Sequence, residues 1–404
     1  MISPIKWFEL VAAVAAREVR QLISRPQEII FCGFMPVIWV LIVWGLLYNG
    51  VITDVPVAYI DHDNTSMSRE IGRALDADRT MGLVTYNSHD EALAALKHGS
   101  VYGIIEVPEG YMKEQYKGTG SSLSVYLDEN RYAVAGTIQT SIATIMSAMT
   151  LQNMAKVTLL TGSGVSGAER IVSGVHSDFY ALGNMQFSFL AFLGSNLMPG
   201  VIMLAAVLSF VTAIVREVYL YRINEWMDTA QHYVTAALCG KLLPHYFFYC
   251  LVILAYIGLF AGVSGFTALK ASSLFIWFIC GAACLLVMLT CAILICGIAP
   301  TWRFSLVVAS GFAAPALPFT GFSMPLDSMS DIARTFSKCL PLTWFIEGQT
   351  QQWTLGADIW DMGTTFGVFL LMIFIPLILG IPVFRWKYRI FAKRELEAEA
   401  DHVS

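Results

Sequence analysis

Apolar positions along this chain recur in three different patterns, and each pattern predicts a different kind of element. Ile5, Phe8, Val11, Ala15, Val19, Leu22 and Ile23 follow helical spacing, with Lys6, Glu9, Arg17, Glu18 and Arg20 largely off that stripe. This predicts an amphipathic helix lying in a membrane interface, with Trp7 as an anchor. Arg25-Pro26 ends it, because proline disfavours helix in the residue before it. Ile29 to Tyr48 is apolar on every side and predicts a first membrane span, with Pro36 as a bend. The run is too long for the apolar core of a signal peptide and lacks an A-x-A cleavage site, so it is expected to stay.

From Val51 the pattern becomes that of a soluble α/β unit. Val55 to Ile60, Gly82 to Tyr86, Val101 to Val107 and Ser122 to Leu127 read as strands. Ser66 to Leu75 reads as a helix, Asp61-His-Asp-Asn as a turn, and Ser88-His-Asp-Glu91 as a capping box opening another helix. The alternation predicts a small mixed or parallel sheet covered by helices. A long helix is expected from after Asn130 to about Leu160, and a Gly/Ser break over Thr161 to Ala168.

Apolar runs then return: Phe187 to Val215, Leu242 to Phe260, Leu274 to Ile298, Phe304 to Phe322 with Pro315 and Pro318 inside it, and Phe366 to Val383. The fold class is thus an α-helical polytopic membrane protein of about six spans with an inserted α/β extracytoplasmic domain. The organisation reads as 1–27 amphipathic helix, 28–49 first span, and 50–186 inserted domain. The remaining spans occupy 187–384 with a polar loop at 216–241, and a tail follows at 385–404. Composition agrees: of 404 residues 56% are hydrophobic and only 14% charged, with mean hydropathy +0.62. A soluble domain carries about 25% charged residues.

Charge sets the expected orientation. Arg17, Arg20, Arg25, Arg216, Arg222, Lys241, Arg303, Arg385, Lys387, Arg389, Lys393 and Arg394 fall on one side of these spans. The opposite short loops hold Lys270, Arg334 and Lys338, so both termini are expected in the cytoplasm. A net charge of -5 argues against a nucleic-acid partner. Of the 8 cysteines, none lies between Val51 and Gln186, so no disulfide framework is expected there.

Candidate chemistry is sparse. Ionisable groups deep in the spans, which a proton- or sodium-coupled relay needs, are nearly absent. No G-x-x-x-x-G-K-[ST] phosphate loop occurs, so the chain is not expected to bind ATP itself or to be an enzyme. Gly162-Ser-Gly-Val-Ser-Gly167 matches a dinucleotide fingerprint, but a helix precedes it where a strand is required, so it reads as a linker. Asp61 and Asp63 read as turn and cap residues, and with His98 and His176 they give no metal site. No cofactor is expected.

Several short motifs stand in order along the chain. They are Val57-Ala-Tyr-Ile-Asp-His-Asp-Asn-Thr-Ser66, Leu197-Met-Pro-Gly200, Val215-Arg-Glu217, Gly240-Lys-Leu-Leu-Pro244, Thr320-Gly-Phe-Ser-Met-Pro-Leu-Asp-Ser-Met329 and Leu340-Pro-Leu-Thr-Trp344. Together they resemble the ABC-2 type permease family, in its bacterial branch with a large periplasmic insert after the first span. The chain departs from the family at Val218-Tyr-Leu-Tyr-Arg222, where K/R-E-x-G-T is usual, and at Ser330, where proline is usual.

The resemblance implies a permease subunit of an ATP-driven exporter for an amphipathic solute, drug or lipid-like substrate. Its implied partners are separate ABC ATPase subunits that bind ATP and Mg, a second permease copy or a similar permease, and a periplasmic adaptor with an outer-membrane channel. Phe187, Phe192, Asn196, Phe312, Phe319 and Phe322 are candidate path residues, against the plainer reading of lipid contact and packing. Arg216, Glu217, Glu225, Trp226 and Met227 are candidate ATPase-coupling residues. A short helix there would present Trp226 and Met227 to a partner, unless Trp226 only anchors the loop in headgroups. A receptor or scaffold using the α/β domain to bind a ligand is the rival reading.

Overall fold

A computed structural model of the chain describes residues 3–47, 53–117, 122–128, 132–161, 190–220, 222–263, 271–299, 301–314, 316–321, 326–355 and 358–403. The chain divides into two compact units, one taking Gly50–Ala181 and the other Met1–Asn49 with Phe189–Ser404.

The helical unit opens with α1 (Pro4–Ile23), capped by the Ser3 side chain with proline at its first turn. A π-helical stretch, Ile29–Phe34, leads into α2 (Met35–Leu47).

The smaller unit alternates β1 (Val55–Asp61), α3 (Ser66–Asp76), β2 (Met81–Thr85), α4 (His89–Lys97), β3 (Gly103–Val107), α5 (Tyr111–Lys117) and β4 (Ser124–Leu127). A 30-residue helix, α6 (Tyr132–Thr161), follows. The sheet order is β2-β1-β3-β4, with β1 parallel to both neighbours and β4 antiparallel to β3. Central β1 is apolar on both faces because both are covered. Val57 and Tyr59 pack with Ile71, Leu75 and Ile138, while Ala58 and Ile60 pack with Ala92 and Ile104. Ser88 caps α4 by accepting from the Glu91 N–H, whereas the full reciprocal box forms at Thr65 and Ser68. Asp61 is indeed a turn residue: its carboxylate accepts from the Asp63 and Asn64 N–H groups and from the Ser68 hydroxyl at 2.7–3.1 Å.

The helical unit continues through α7 (Ser195–Tyr219), α8 (Ile223–Thr229), α9 (Val234–Val263), α10 (Ala271–Ile298), α11 (Trp302–Ala313), α12 (Ala316–Phe319), α13 (Asp331–Lys338), α14 (Pro341–Thr350) and α15 (Gly363–Val403). Among the described residues, four helical segments are long and apolar enough to cross a membrane: Leu190–Tyr219, Val234–Ala261, Ala271–Ile298 and Gly363–Lys393. The first and fifth expected spans are instead short apolar helices. α2 by itself covers about 20 Å, but it continues the π-helical stretch without a break, so the helical run Pro26–Leu47 approaches the thickness of a hydrocarbon core of about 30 Å. The fifth run is cut after Ala313, where Pro315 and Pro318 remove backbone donors.

Candidate functional site

The face of α1 that packs along the start of α9 carries Leu10, Val11 and Val14, whereas Ile5, Phe8, Val19 and Ile23 of the expected apolar stripe stay exposed. Gly240 permits the approach: a Cβ there would stand 2.6 Å from Val14 Cβ and 2.7 Å from the Val11 carbonyl oxygen. Arg17 and Glu18 lie three and four residues beyond Val14, hence on the same face of α1. Close packing therefore carries both charges inward, and they meet the last turn of α7.

There the charges satisfy one another. Arg17 donates through Nη1 and Nη2 to the two Glu217 oxygens at 2.9 and 3.0 Å. Lys241 donates to Glu217 at 3.0 Å and also to Glu18. Arg216 donates to Glu18 at 2.9 Å and to the Gln21 side-chain oxygen at 2.8 Å. The Lys241 side chain is 0% exposed, and Glu18 and Glu217 are 1% exposed. His245, one turn along α9, donates from Nδ1 to the Lys241 carbonyl at 3.1 Å. Burial alone would push the Glu18 carboxyl up, but Lys241 and Arg216 outweigh it and hold it below its usual value. Its share of the cohesion is thus complete at neutral pH and fades as the pH falls through that depressed value.

Three cations here face two buried carboxylates, and a third carboxylate reaches in from α8. Glu225 lies 3.4 Å from Arg17 and is gripped by Arg222 at 2.7 and 2.9 Å. That grip, with Arg17 adding to it, outweighs the upward push of burial and keeps its carboxyl below the usual range. Its side chain is 54% exposed.

The rest of α8 faces inward, which corrects the expectation for two residues. Trp226 and Met227 are buried and are presented to no partner surface, because α8 folds back onto α15, α9 and α7. The Trp226 ring meets Phe384 edge-on at 5.9 Å, and Lys241 Nζ stands 5.0 Å from its centre. Asn224 donates to the Ala392 carbonyl of α15 at 3.3 Å. Glu225 and Asp228 form the outward face. The turn after α8 is tight: Gln231 and His232 both hold positive φ, 49° and 62°, which residues other than glycine rarely adopt.

A second buried polar cluster sits at the other end of α7. Tyr256 donates to Gln349 Oε1 at 2.9 Å and to the Ser195 carbonyl at 3.2 Å, while Gln349 Nε2 donates to that same carbonyl at 2.8 Å. Asn196 donates to the Phe192 carbonyl at 3.1 Å and to Ser195 Oγ at 3.0 Å, leaving its own side-chain oxygen buried without a partner. Two π-helical stretches flank the cluster, Leu190–Gly194 and Gln351–Leu355, a geometry common at functional positions.

The candidate path residues are only partly assembled. Phe192 and Asn196 are joined as described. Phe312 is half-buried against the helical core, and Phe319 meets Phe336 edge-on at 5.2 Å. Phe187 and Phe322, like the 162–167 fingerprint match and His176, lie outside the described residues. Two cavities are lined by other residues. One of about 300 Å³ includes Trp7, Val11, Leu242, Ile293 and Ile381; one of about 200 Å³ lies between α2 and α9, with Val40, Leu41, Phe248 and Tyr256 on its walls. Both are almost wholly apolar.

Sequence reasoning singled out Arg216 and Glu217 as coupling residues; both are buried, and it missed Arg17, Glu18 and Lys241 as their partners. The available signal was the phase of Arg17 and Glu18 relative to Val14, which puts them on the packed face rather than the wet one. Among the described residues no cluster of His, Cys, Asp and Glu could hold a metal ion. No curated protein matches the chain. The profile of the family described as "ABC-2 family transporter protein" matches residues 28–381, so the chain belongs to the ABC-2 family of transporter proteins.

Proposed function

We propose that this membrane component of an ABC transporter is the permease of an exporter, with α8 as the surface on which a separate ATP-binding subunit docks. The observation that carries the docking surface is the division of α8: Trp226 and Met227 anchor it to α15 and α9, while Glu225 and Asp228 face outward. An acidic outer face fits a basic patch on the partner. In this reading both termini and α8 are cytoplasmic, six passes cross the inner membrane, and the α/β unit stands in the periplasm, where it can engage an adaptor. Two permease copies enclose the path. An amphipathic substrate accords with the apolar cavities and with the buried hydrogen-bonding groups around Asn196 and Tyr256.

The test uses the permease purified alone and with its ATP-binding subunit. The permease alone should hydrolyse no ATP, and the pair should hydrolyse it and move substrate outward from loaded vesicles. Asp228→Arg should weaken co-purification of the subunit about tenfold, the size of a single charge reversal at an interface. Unchanged co-purification would remove α8 as the docking surface.

Orientation has its own measurement. With Cys339, which is exposed, replaced by serine, a cysteine at Ser100 should react with an impermeant thiol reagent on intact cells. A cysteine at Asp228 should react only after permeabilisation. Equal reaction of both on intact cells would overturn the proposed orientation.

A further inference from the structure

Pro199 lies inside α7 and has no backbone N–H, and its ring crowds the carbonyl four residues back, which is that of Ser195. Two side chains from other helices supply the donor that the proline lacks. Gln349 Nε2 of α14 donates to the Ser195 carbonyl at 2.8 Å, and the Tyr256 hydroxyl of α9 lies 3.2 Å from the same oxygen. That hydroxyl has one proton and a second acceptor, Gln349 Oε1, at 2.9 Å. The donors are therefore redundant. Without Tyr256 the Gln349 amide still serves the carbonyl, and without Gln349 the phenol proton turns to it. A membrane helix tolerates proline when neighbours pair the freed carbonyl, and one donor is enough for that. Two donors from two helices do more: they tie the segment before Pro199 to both α9 and α14.

The tie is made where the helices depart from the α-helical pitch. The π-helical stretch Leu190–Gly194 directly precedes Ser195, and Gln351–Leu355 begins two residues after Gln349. The tied arrangement also carries a cost, because Asn196 Oδ1 on the same segment is buried without a partner. The Tyr256 ring walls the cavity of about 200 Å³ between α2 and α9, so the tie borders space that a solute can fill. We propose that the Ser195 carbonyl is the catch of a gate: the segment Leu190–Met198 pivots about Pro199, and Tyr256 and Gln349 hold it shut. Opening exchanges their bonds for pairing with water or with a donor group of a passing solute, and it gives Asn196 Oδ1 the partner it lacks. Pro199 is the pivot, and Tyr256 and Gln349 are positioning residues. The gate stands at the outer end of α7 under the orientation proposed above, and the experiment separates the two.

The reporter is a cysteine at Ala191, a buried position on the pivoting segment, in the full-length chain with Cys339 replaced by serine. Its reaction rate with an impermeant maleimide is read on intact cells that also make the ATP-binding subunit. Tyr256→Phe and Gln349→Leu each leave the carbonyl one donor and should react within about twofold of the parent. The double variant should react about tenfold faster, the shift that loss of one net hydrogen bond makes in an equilibrium. Pro199→Ala restores the missing N–H, so adding it to the double variant should return the rate to the parent value. A second comparison sets an active ATP-binding subunit beside one with its ATP site inactivated. The parent should differ by about fivefold or more between them, the ordinary lower range of coupling between two sites. Pro199→Ala alone should reach the membrane and co-purify with the subunit yet lose that response, which a proline that only shapes the helix would leave intact. A double variant that reacts at the parent rate, a Pro199→Ala chain that keeps the full response, or a parent without one overturns the catch. Either comparison decides if the variant used in the other fails to reach the membrane. A wrong orientation would show instead as reaction of every variant only after permeabilisation.

Discussion

Replacing Glu217 by alanine should cost about 3–5 kcal/mol of stability, the range for breaking a buried ion pair by removing one partner. The reason is what leaves with it. Removing Glu217 takes away one buried negative charge, the two Arg17 bonds at 2.9 and 3.0 Å and one of the two Lys241 ion pairs together. Lys241→Met should be the milder change although Lys241 is the most buried of the five, because Glu217 keeps its two Arg17 bonds and Glu18 keeps its Arg216 bond. Methionine also keeps most of the stem volume beside Trp226. The measurement is thermal unfolding in detergent beside membrane abundance. If Lys241→Met proved the more damaging, the arginine–carboxylate pairs would not be what holds this cluster.

Gly240→Leu should dislodge α1. A Cβ at position 240 would stand 2.7 Å from the Val11 carbonyl oxygen, which belongs to backbone and cannot swing aside as a side-chain end can. Overpacking a tight contact costs about 1–3 kcal/mol when neighbours can relax, and here the cheaper relaxation is for α1 to lift. Gly258, farther along the same helix, has nothing within 4 Å of its would-be Cβ, so Gly258→Leu is the matched control. Proteolysis or thiol labelling of α1 should become faster in Gly240→Leu and stay unchanged in Gly258→Leu. Equal behaviour of the two would mean that α1 does not depend on this contact.

The α/β unit was legible because its signals are local. A strand such as Val55–Asp61 carries its own apolar run, and the turn after it carries its own Asp and Asn. The apolar helices were legible for the same reason, since length and composition are local properties. What could not be read were the partners of the charges. Arg17 and Glu217 are 200 residues apart, and nothing short-range in either segment names the other. Trp226 shows the same limit from the opposite side. Its spacing on α8 marked an apolar face but not what would cover it, and Phe384, far along the chain, does so. The π-helical stretches escaped as well, because they depend on how a helix is held at its ends rather than on residue type alone.

The last helix carries a mechanical consequence. α15 is 41 residues long, about 61 Å at the ordinary helical rise, roughly twice the thickness of a hydrocarbon core. Its apolar portion ends near Val383, and the helix runs on to Val403, with Pro376 and Pro382 each removing one backbone donor inside it. Beyond Pro382 the helix holds no proline or glycine, so that stretch moves as one rod. Leaning it by about 10°, well inside the tilt that membrane helices adopt, would sweep its protruding end sideways by about 5 Å. Small rearrangements among packed helices are thereby magnified at the tip, so a distance probe placed there should register a change that probes within the bundle barely resolve.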